Sequence, residues 1–242
     1  MSQATRKLVW LFDLDNTLHD ASHAIFPAIS ANMNAYIARV LHDGVNEVTQ
    51  ERIDAARLGY WKRYGATLLG MIRHHGVSAP HFLRETHTLH DLRAMMRSEA
   101  GLGRLLRRLP GRKILLTNAP LAYSTHVMRY LNLHRHFARH IAIEQMRVHG
   151  QLRPKPSKLM LARLLRRHGV AARDCVLVED TLMNLKSARQ LGLSTVWVTQ
   201  YLREGERSAL AQARPRRLIR PNYVDVKVKS VRQLPRQLHR LR

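Results

Sequence analysis

The chain has one cysteine, Cys175, among 242 residues. It can therefore form no internal disulfide and no cysteine-based zinc site. Acids are scarce: 17 Asp and Glu stand against 41 Lys and Arg, a formal net charge of +24. Lysine is scarce as well, since 33 of those 41 cations are Arg and only 8 are Lys. No apolar run approaches the roughly 18 residues of a membrane span, and the one nearest the start, residues 8–12, is broken by Asp13. Without a membrane segment or a secretory leader pattern, the expectation is a cytoplasmic protein with no membrane partner. What is abundant is core-forming material: 45% apolar against 24% charged residues excludes a disordered or collagen-like chain.

So basic a chain attracts polyanions and phosphorylated molecules through its summed field. The charge is nevertheless spread out. Residues 203–242 hold 12 basic and 3 acidic side chains, a balance of +9, which leaves +15 over residues 1–202. There is no basic tail, no zinc-finger spacing and no aromatic RNA-binding sequence. Arginine on solvated faces accounts for this pattern, and dedicated nucleic-acid binding is not expected.

Short β-branched runs alternate with longer amphipathic stretches, the pattern of a parallel sheet flanked by helices. The expected strands are residues 7–12, 113–117, 140–144, 175–178, 195–199 and 224–228, apolar on both faces where central. Helices are expected at 122–131, 157–168 and 182–191, the last two stopped by Gly169 and Gly192. From Leu18 to Pro110 no strand is convincing. Asp20 or Ser22 can cap a helix reaching Leu41, Thr49 can cap another through Tyr64, and shorter helices follow. The fold class is thus α/β, a Rossmann-like core of residues 1–18 and 111–242 with a helical domain, 19–110, inserted after the first strand. That position places the insert at the carboxyl end of the strand, where open sheets bind ligands. Residues 203–222 read as a loop or frayed helix.

The first strand runs into Asp13-Leu14-Asp15. Two acids this close repel each other, so they need a cation or a shared proton, and a hard divalent ion such as magnesium suits their oxygens. Asp13 could attack phosphorus and Asp15 could move protons to and from the leaving oxygen and water. Thr117-Asn118 follows the second core strand and offers a hydroxyl and backbone N–H groups to a phosphate. Lys155, between Pro154 and Pro156, is a compact ammonium on a braced backbone. Glu179-Asp180 closes another buried strand, with Asp180 a further metal ligand and Asn184 one helical turn on.

These four motifs, in this order along nearly the whole chain, resemble the haloacid-dehalogenase-like phosphohydrolase superfamily. The resemblance implies Asp13 as nucleophile, Asp15 as general acid/base, and Thr117, Asn118 and Lys155 as phosphate holders. It also implies a Mg2+ held by Asp13, the Asp15 carbonyl and Asp180, with Glu179 and Asn184 supporting that site. Members that cleave carbon–halogen bonds lack an acid at the position of Asp15, so phosphoryl transfer is implied. The last motif begins with Glu rather than Asp.

The stretch Tyr60-Trp61-Lys62-Arg63-Tyr64-Gly65-Ala66-Thr67-Leu68-Leu69-Gly70 is similar to the cap of the pyrimidine 5′-nucleotidase family, as are the flanks of Asp15 and Asn118. This likeness implies a nucleoside monophosphate such as UMP or CMP as substrate, touched by Tyr60, Tyr64 and Thr67. Packing between helices accounts for the tyrosines equally well. A sugar-phosphate phosphatase or phosphomutase would keep the same site, and a basic nucleic-acid-binding protein could keep the fold alone. His19 with His23, and His134 with His136 and His140, have spacings open to metal binding but read better as solvated surface.

Overall fold

The computed structural model describes residues 8–202 and 219–241. Residues 203–218 of the loop expected at 203–222, like Lys7 of the first expected strand, lie outside these. The chain divides into two compact units, one of Met1–Ser22 with Arg97–Arg242 and one of His23–Met96.

In chain order the larger unit opens with β1 (Val9–Phe12). The smaller unit then supplies α1 (Ile25–Leu41), α2 (Gln50–Tyr64), α3 (Thr67–His75), α4 (Ala79–Thr86) and α5 (Leu92–Met95). The larger unit resumes with α6 (Leu102–Arg108), β2 (Arg112–Leu116), α7 (Leu121–Tyr130) and β3 (Arg139–Ile141). A small hairpin, β4 (Arg147–Val148) and β5 (Gln151–Leu152), follows, then α8 (Lys158–Arg167), β6 (Cys175–Glu179), α9 (Leu182–Gln190), β7 (Ser194–Val198) and β8 (Val226–Val228). A 3-10 segment, Val231–Arg240, ends the described chain.

Six strands form one parallel sheet in the order β3-β2-β1-β6-β7-β8. β1 is central, and its sequence VWLF is buried throughout because helices cover both faces. Alternation sends Val9 and Leu11 into a core shared with Met160, Leu161 and Leu164 of α8 and Leu185 and Ala188 of α9. Trp10 and Phe12 go to the opposite face, where Phe12 meets Phe137 edge-on at 5.9 Å. Each such fully buried side chain is worth roughly 1.5–3 kcal/mol. Gly111 precedes β2 at φ +85°, and a Cβ there would lie 2.0 Å from the Leu8 carbonyl oxygen. Only glycine allows this approach, which sets β2 beside β1. The strand order reverses about β1, so the crevice at a topological switch point falls at the ends of β1, β2 and β6.

Several elements differ from the sequence expectation. The strand expected at 140–144 is only Arg139–Ile141, because Ile143–Gln145 turns into a 3-10 segment held by the Gln145 side chain accepting from Ala142 N–H. Neither Asp20 nor Ser22 caps α1, whose N-cap is Ala24. Ser22 is instead engaged by Asn16, whose amide donates to the Ser22 hydroxyl and accepts from its N–H. Helix α6, grouped with the insert on sequence, belongs to the larger unit, where Leu102, Leu105 and Leu106 are buried and the helix meets the terminal 3-10 segment.

Within the smaller unit, Thr49 caps α2 by accepting from Arg52 N–H, and Gly65 ends it in the left-handed region. The α2–α3 contact is very close: a Cβ on Gly70 would fall 2.1 Å from the Tyr60 ring. Tyr36 of α1 packs edge-on against Phe82 of α4 at 5.0 Å.

Candidate active site

The site grows from the carboxyl ends of β1 and β6. Past β1, Asp13 N–H donates to the Val178 carbonyl at 3.0 Å, which keeps the two strands joined one residue beyond the ladder. The chain then turns. Asn16 takes φ 58°, tolerable for an Asn whose side chain bonds locally, and Leu18 N–H closes back on the Leu14 carbonyl. This turn sends the two aspartates to different surroundings rather than leaving them parallel on an extended strand.

Asp13 is 6% exposed and Lys155 4% exposed. The Lys155 ammonium donates to Asp13 Oδ1 at 2.6 Å and to Glu179 Oε2 at 2.7 Å. Its backbone is fixed by Asn118, which donates from Nδ2 to the Lys155 carbonyl and accepts at Oδ1 from the Lys155 N–H, both at 2.9 Å. The Asn118 side chain thus braces the Lys155 backbone, a role not read from the sequence, which expected a hydroxyl and backbone N–H donors from this segment. Thr117 is buried at the end of β2; its N–H goes to the Ile141 carbonyl and its hydroxyl oxygen accepts from Ala119 N–H. The hydroxyl proton of Thr117 is the group it has left to offer.

Glu179 is filled from all sides. Oε1 accepts from the N–H groups of Asp180 and Thr181, and Oε2 from Lys155 and the Asn184 amide. Asp180 takes the Thr181 hydroxyl on Oδ1, and its carbonyl accepts the Trp197 indole N–H at 2.9 Å. Asp13, Glu179 and Asp180 each present a carboxylate oxygen within 4.8 Å of the others, the one such cluster among the described residues.

Asp15 is set apart. Its Oδ1 accepts the Tyr123 hydroxyl at 2.7 Å and faces His19 Nε2 at 2.8 Å. His19 is fully buried, a correction to its reading as solvated surface: it serves the acid one helical turn before it. Its Nδ1 is buried without a partner. A bare lone pair there costs less than an orphaned N–H, so Nε2 is the protonated nitrogen and the donor. His140 likewise faces inward, toward the Ser124 hydroxyl at 2.8 Å. Neither His19 nor Tyr123 was picked out from the sequence as a site residue.

The charges explain what the site can hold. Burial, then the charges of Glu179 and Asp15, push Asp13 up to about 7 although Lys155 pulls it down. Burial and Glu179 raise Asp180 well above the usual carboxylate range. Glu179 goes the other way: burial opposes its charge, but the Lys155 ammonium and its hydrogen bonds hold it below its ordinary value. For Lys155 burial is outweighed by Asp13 and Glu179, so its value is raised. One ammonium thus faces more carboxylate than it can neutralise, and the donor set, hard oxygens with a deficit of positive charge, fits a divalent hard cation. Asp13 and Asp180 have the capacity to hold it, whereas Glu179 is already satisfied.

Tyr60, Tyr64 and Thr67 lie in the smaller unit, and each hydroxyl has a partner there. Tyr60 meets His75 Nε2 at 2.8 Å, Tyr64 meets His74 Nε2 at 2.7 Å, and Thr67 donates to the Arg57 carbonyl. They join α2 to α3.

The fold is a doubly wound α/β sheet with carboxylates at the ends of adjacent central strands and a buried lysine between them. The family model of haloacid dehalogenase-like hydrolases matches residues 9–192, and the chain belongs to that family. Solved structures share the fold at low identity. A haloacid dehalogenase-type phosphatase of Thermococcus onnurineus aligns with TM-score 0.60 at 16% identity, over 96% of this chain and 97% of that one. The L-2-haloacid dehalogenase of Xanthobacter autotrophicus gives 0.55 at 15%, over 96% and 98%. A magnesium-bound hydrolase of the same type from Bacillus subtilis gives 0.57 at 17%, over 97% and 100%.

Proposed function

We propose that this chain is a magnesium-dependent phosphomonoesterase that works through an aspartyl-phosphate on Asp13. The observation that carries the reading is the buried Asp13–Lys155–Glu179 chain at 2.6 and 2.7 Å, set in a surplus of carboxylate. Lys155 orients the Asp13 carboxylate and offers positive charge to a phosphoryl oxygen. Asp15, with Oδ1 pinned by Tyr123 and His19, keeps its other oxygen to protonate the leaving alkoxide and then to take a proton from water. Thr117 donates its hydroxyl to the phosphate. Mg2+, held by Asp13, Asp180 and the Asp15 carbonyl, would offset the repulsion between substrate dianion and carboxylates. Glu179 and Asn184 would support that arrangement by fixing Lys155 and the start of α9.

The substrate proposed is a nucleoside monophosphate, UMP or CMP, on the likeness of residues 60–70 and of the flanks of Asp15 and Asn118 to pyrimidine 5′-nucleotidases. On this reading Tyr60, Tyr64 and Thr67 belong to the part of the cap that contacts it. The phosphatase name of the Thermococcus relative agrees with the reaction class. A screen of phosphate monoesters with and without magnesium is the test. Release of phosphate from UMP and CMP, little from hexose phosphates, and loss of release on chelation are expected. Preference for hexose phosphates would replace the substrate class, rearrangement without release would mark a mutase, and no hydrolysis of any monoester would end the proposal.

A further inference from the structure

Outside the candidate site, one concavity of the larger unit stands out by its charge. A cleft of about 540 Å³ lies between the edge strand β3 and helix α8. Arg139 and His140 line it from β3, Arg147 from the β4 strand, and Arg163, Arg167 and His168 from α8 and its C-cap. No Asp or Glu lines it. Acidic partners are few for the arginines of this chain, among them Arg39–Glu85, Arg57–Asp54 and Arg189–Asp225, so what marks the cleft is that several arginines converge on one concavity. Among the described residues, Arg139, Arg163 and Arg167 have no acidic partner. The accumulation is felt locally: burial, then the charges of Arg112, Arg139 and Arg167, hold the His168 imidazole below its ordinary value.

We infer that this cleft is a binding site for a compact oligophosphate anion, the tail of a nucleoside triphosphate or a short inorganic phosphate chain. Four guanidiniums supply forked N–H donors matched to phosphate oxygens, and a concave wall of one sign focuses the field. Its volume falls within the few hundred to about 1,000 Å³ of small-molecule sites. A nucleic-acid strand wants aromatic platforms for its bases, and the cleft offers none: its one aromatic carbocycle, Phe137, is turned edge-on to Phe12 in the core. The edge strand lies on the far side of β2 from β1, so this site is separate from the acids at the end of β1.

The test is calorimetric binding of sodium tripolyphosphate and of ATP to the full chain, with chelator present. It is run near physiological ionic strength, where fields between exposed charges are screened beyond about 8 Å. Arg163→Gln with Arg167→Gln, both at exposed positions of α8, is expected to weaken tripolyphosphate by about tenfold or more. The control pair Arg232→Gln with Arg236→Gln, which removes the same charge elsewhere, is expected to change it by less than about twofold. Thermal midpoints of both pairs establish that they are folded. Equal affinity for tripolyphosphate and ATP marks phosphate-chain recognition, and tighter ATP marks the nucleotide as the source; either supports the site. Equal loss in the two pairs would reduce the effect to net charge and overturn it. So would tighter binding of a single-stranded oligonucleotide released by the α8 pair, which would make the surface a nucleic-acid site instead.

Discussion

Two regions of the larger unit carry opposite imbalances of charge. At the ends of β1 and β6 one buried ammonium faces Asp13, Glu179 and Asp180; in the β3–α8 cleft four guanidiniums face no carboxylate. The first imbalance is largely buried, so it is strong, fixed by hydrogen bonds and expressed in displaced proton affinities. The second lies at the surface, where solvent and salt reduce it. Burial decides how much an uncompensated charge can do, more than the number of charges does.

The largest effect expected follows from the buried side. Asp13→Asn removes the proposed nucleophile and is expected to lower turnover by roughly 10³-fold or more, measured on the best monoester. Asp180→Ala is expected to lose activity that excess magnesium partly restores, and indifference to magnesium would count against its ligand role.

Tyr123→Phe sharpens the contrast between the two aspartates. Removing one of the two partners of Asp15 Oδ1, with His19 left in place, is expected to reduce kcat by roughly tenfold to a hundredfold, with little change in KM. The loss should be greater for alkyl phosphates than for aryl phosphates, whose leaving group needs no proton. Equal losses on both would show the hydroxyl to be structural only.

Proton linkage gives a smaller, stability-based effect. With its folded value about 7 against an ordinary 3.8, Asp13 binds its proton more tightly folded than unfolded. The folded state therefore loses stability as pH rises between about 4 and 7. Histidines 75, 136, 140 and 168, with lowered values, pull the other way, so the informative quantity is a difference. In chelator, Asp13→Asn is expected to gain on the native chain from pH 5 to pH 8, by roughly 2–4 °C for each kcal/mol involved. Added magnesium is expected to shrink that gain. The smallest effect belongs to the cleft: Arg163→Gln with Arg167→Gln relieves like-charge repulsion and is expected to raise the melting midpoint slightly at low salt and not at high salt.

Much of this was legible in the residue order. The buried VWLF run, the proline-braced Lys155 and the Glu179-Asp180 pair each announce a strand end or a fixed loop through local chemistry. What was not legible depends on partners distant in the chain. Nothing beside Asn118 in the chain says that its side chain braces the backbone of Lys155, 37 residues on. Tyr123 reads as one more residue of α7, since nothing near it in sequence says that its hydroxyl meets an acid 108 residues earlier. His19 and His23 share a spacing, yet the domain boundary after Ser22 puts them in different units. The hold on Glu179 comes from four donors in three segments, which no local pattern displays.

The indole of Trp197, 1% exposed and bonded to the Asp180 carbonyl, gives the molecule an optical reporter of its own. Of the three tryptophans, Trp61 is half open to solvent and can be quenched by iodide, and Trp10 is tied to the Pro110 carbonyl. At the proposed metal site a divalent ion beside Asp180 would alter the field at Trp197, so the emission left after quenching, from Trp197 and Trp10, can follow a magnesium titration without a label, a substrate or a turnover.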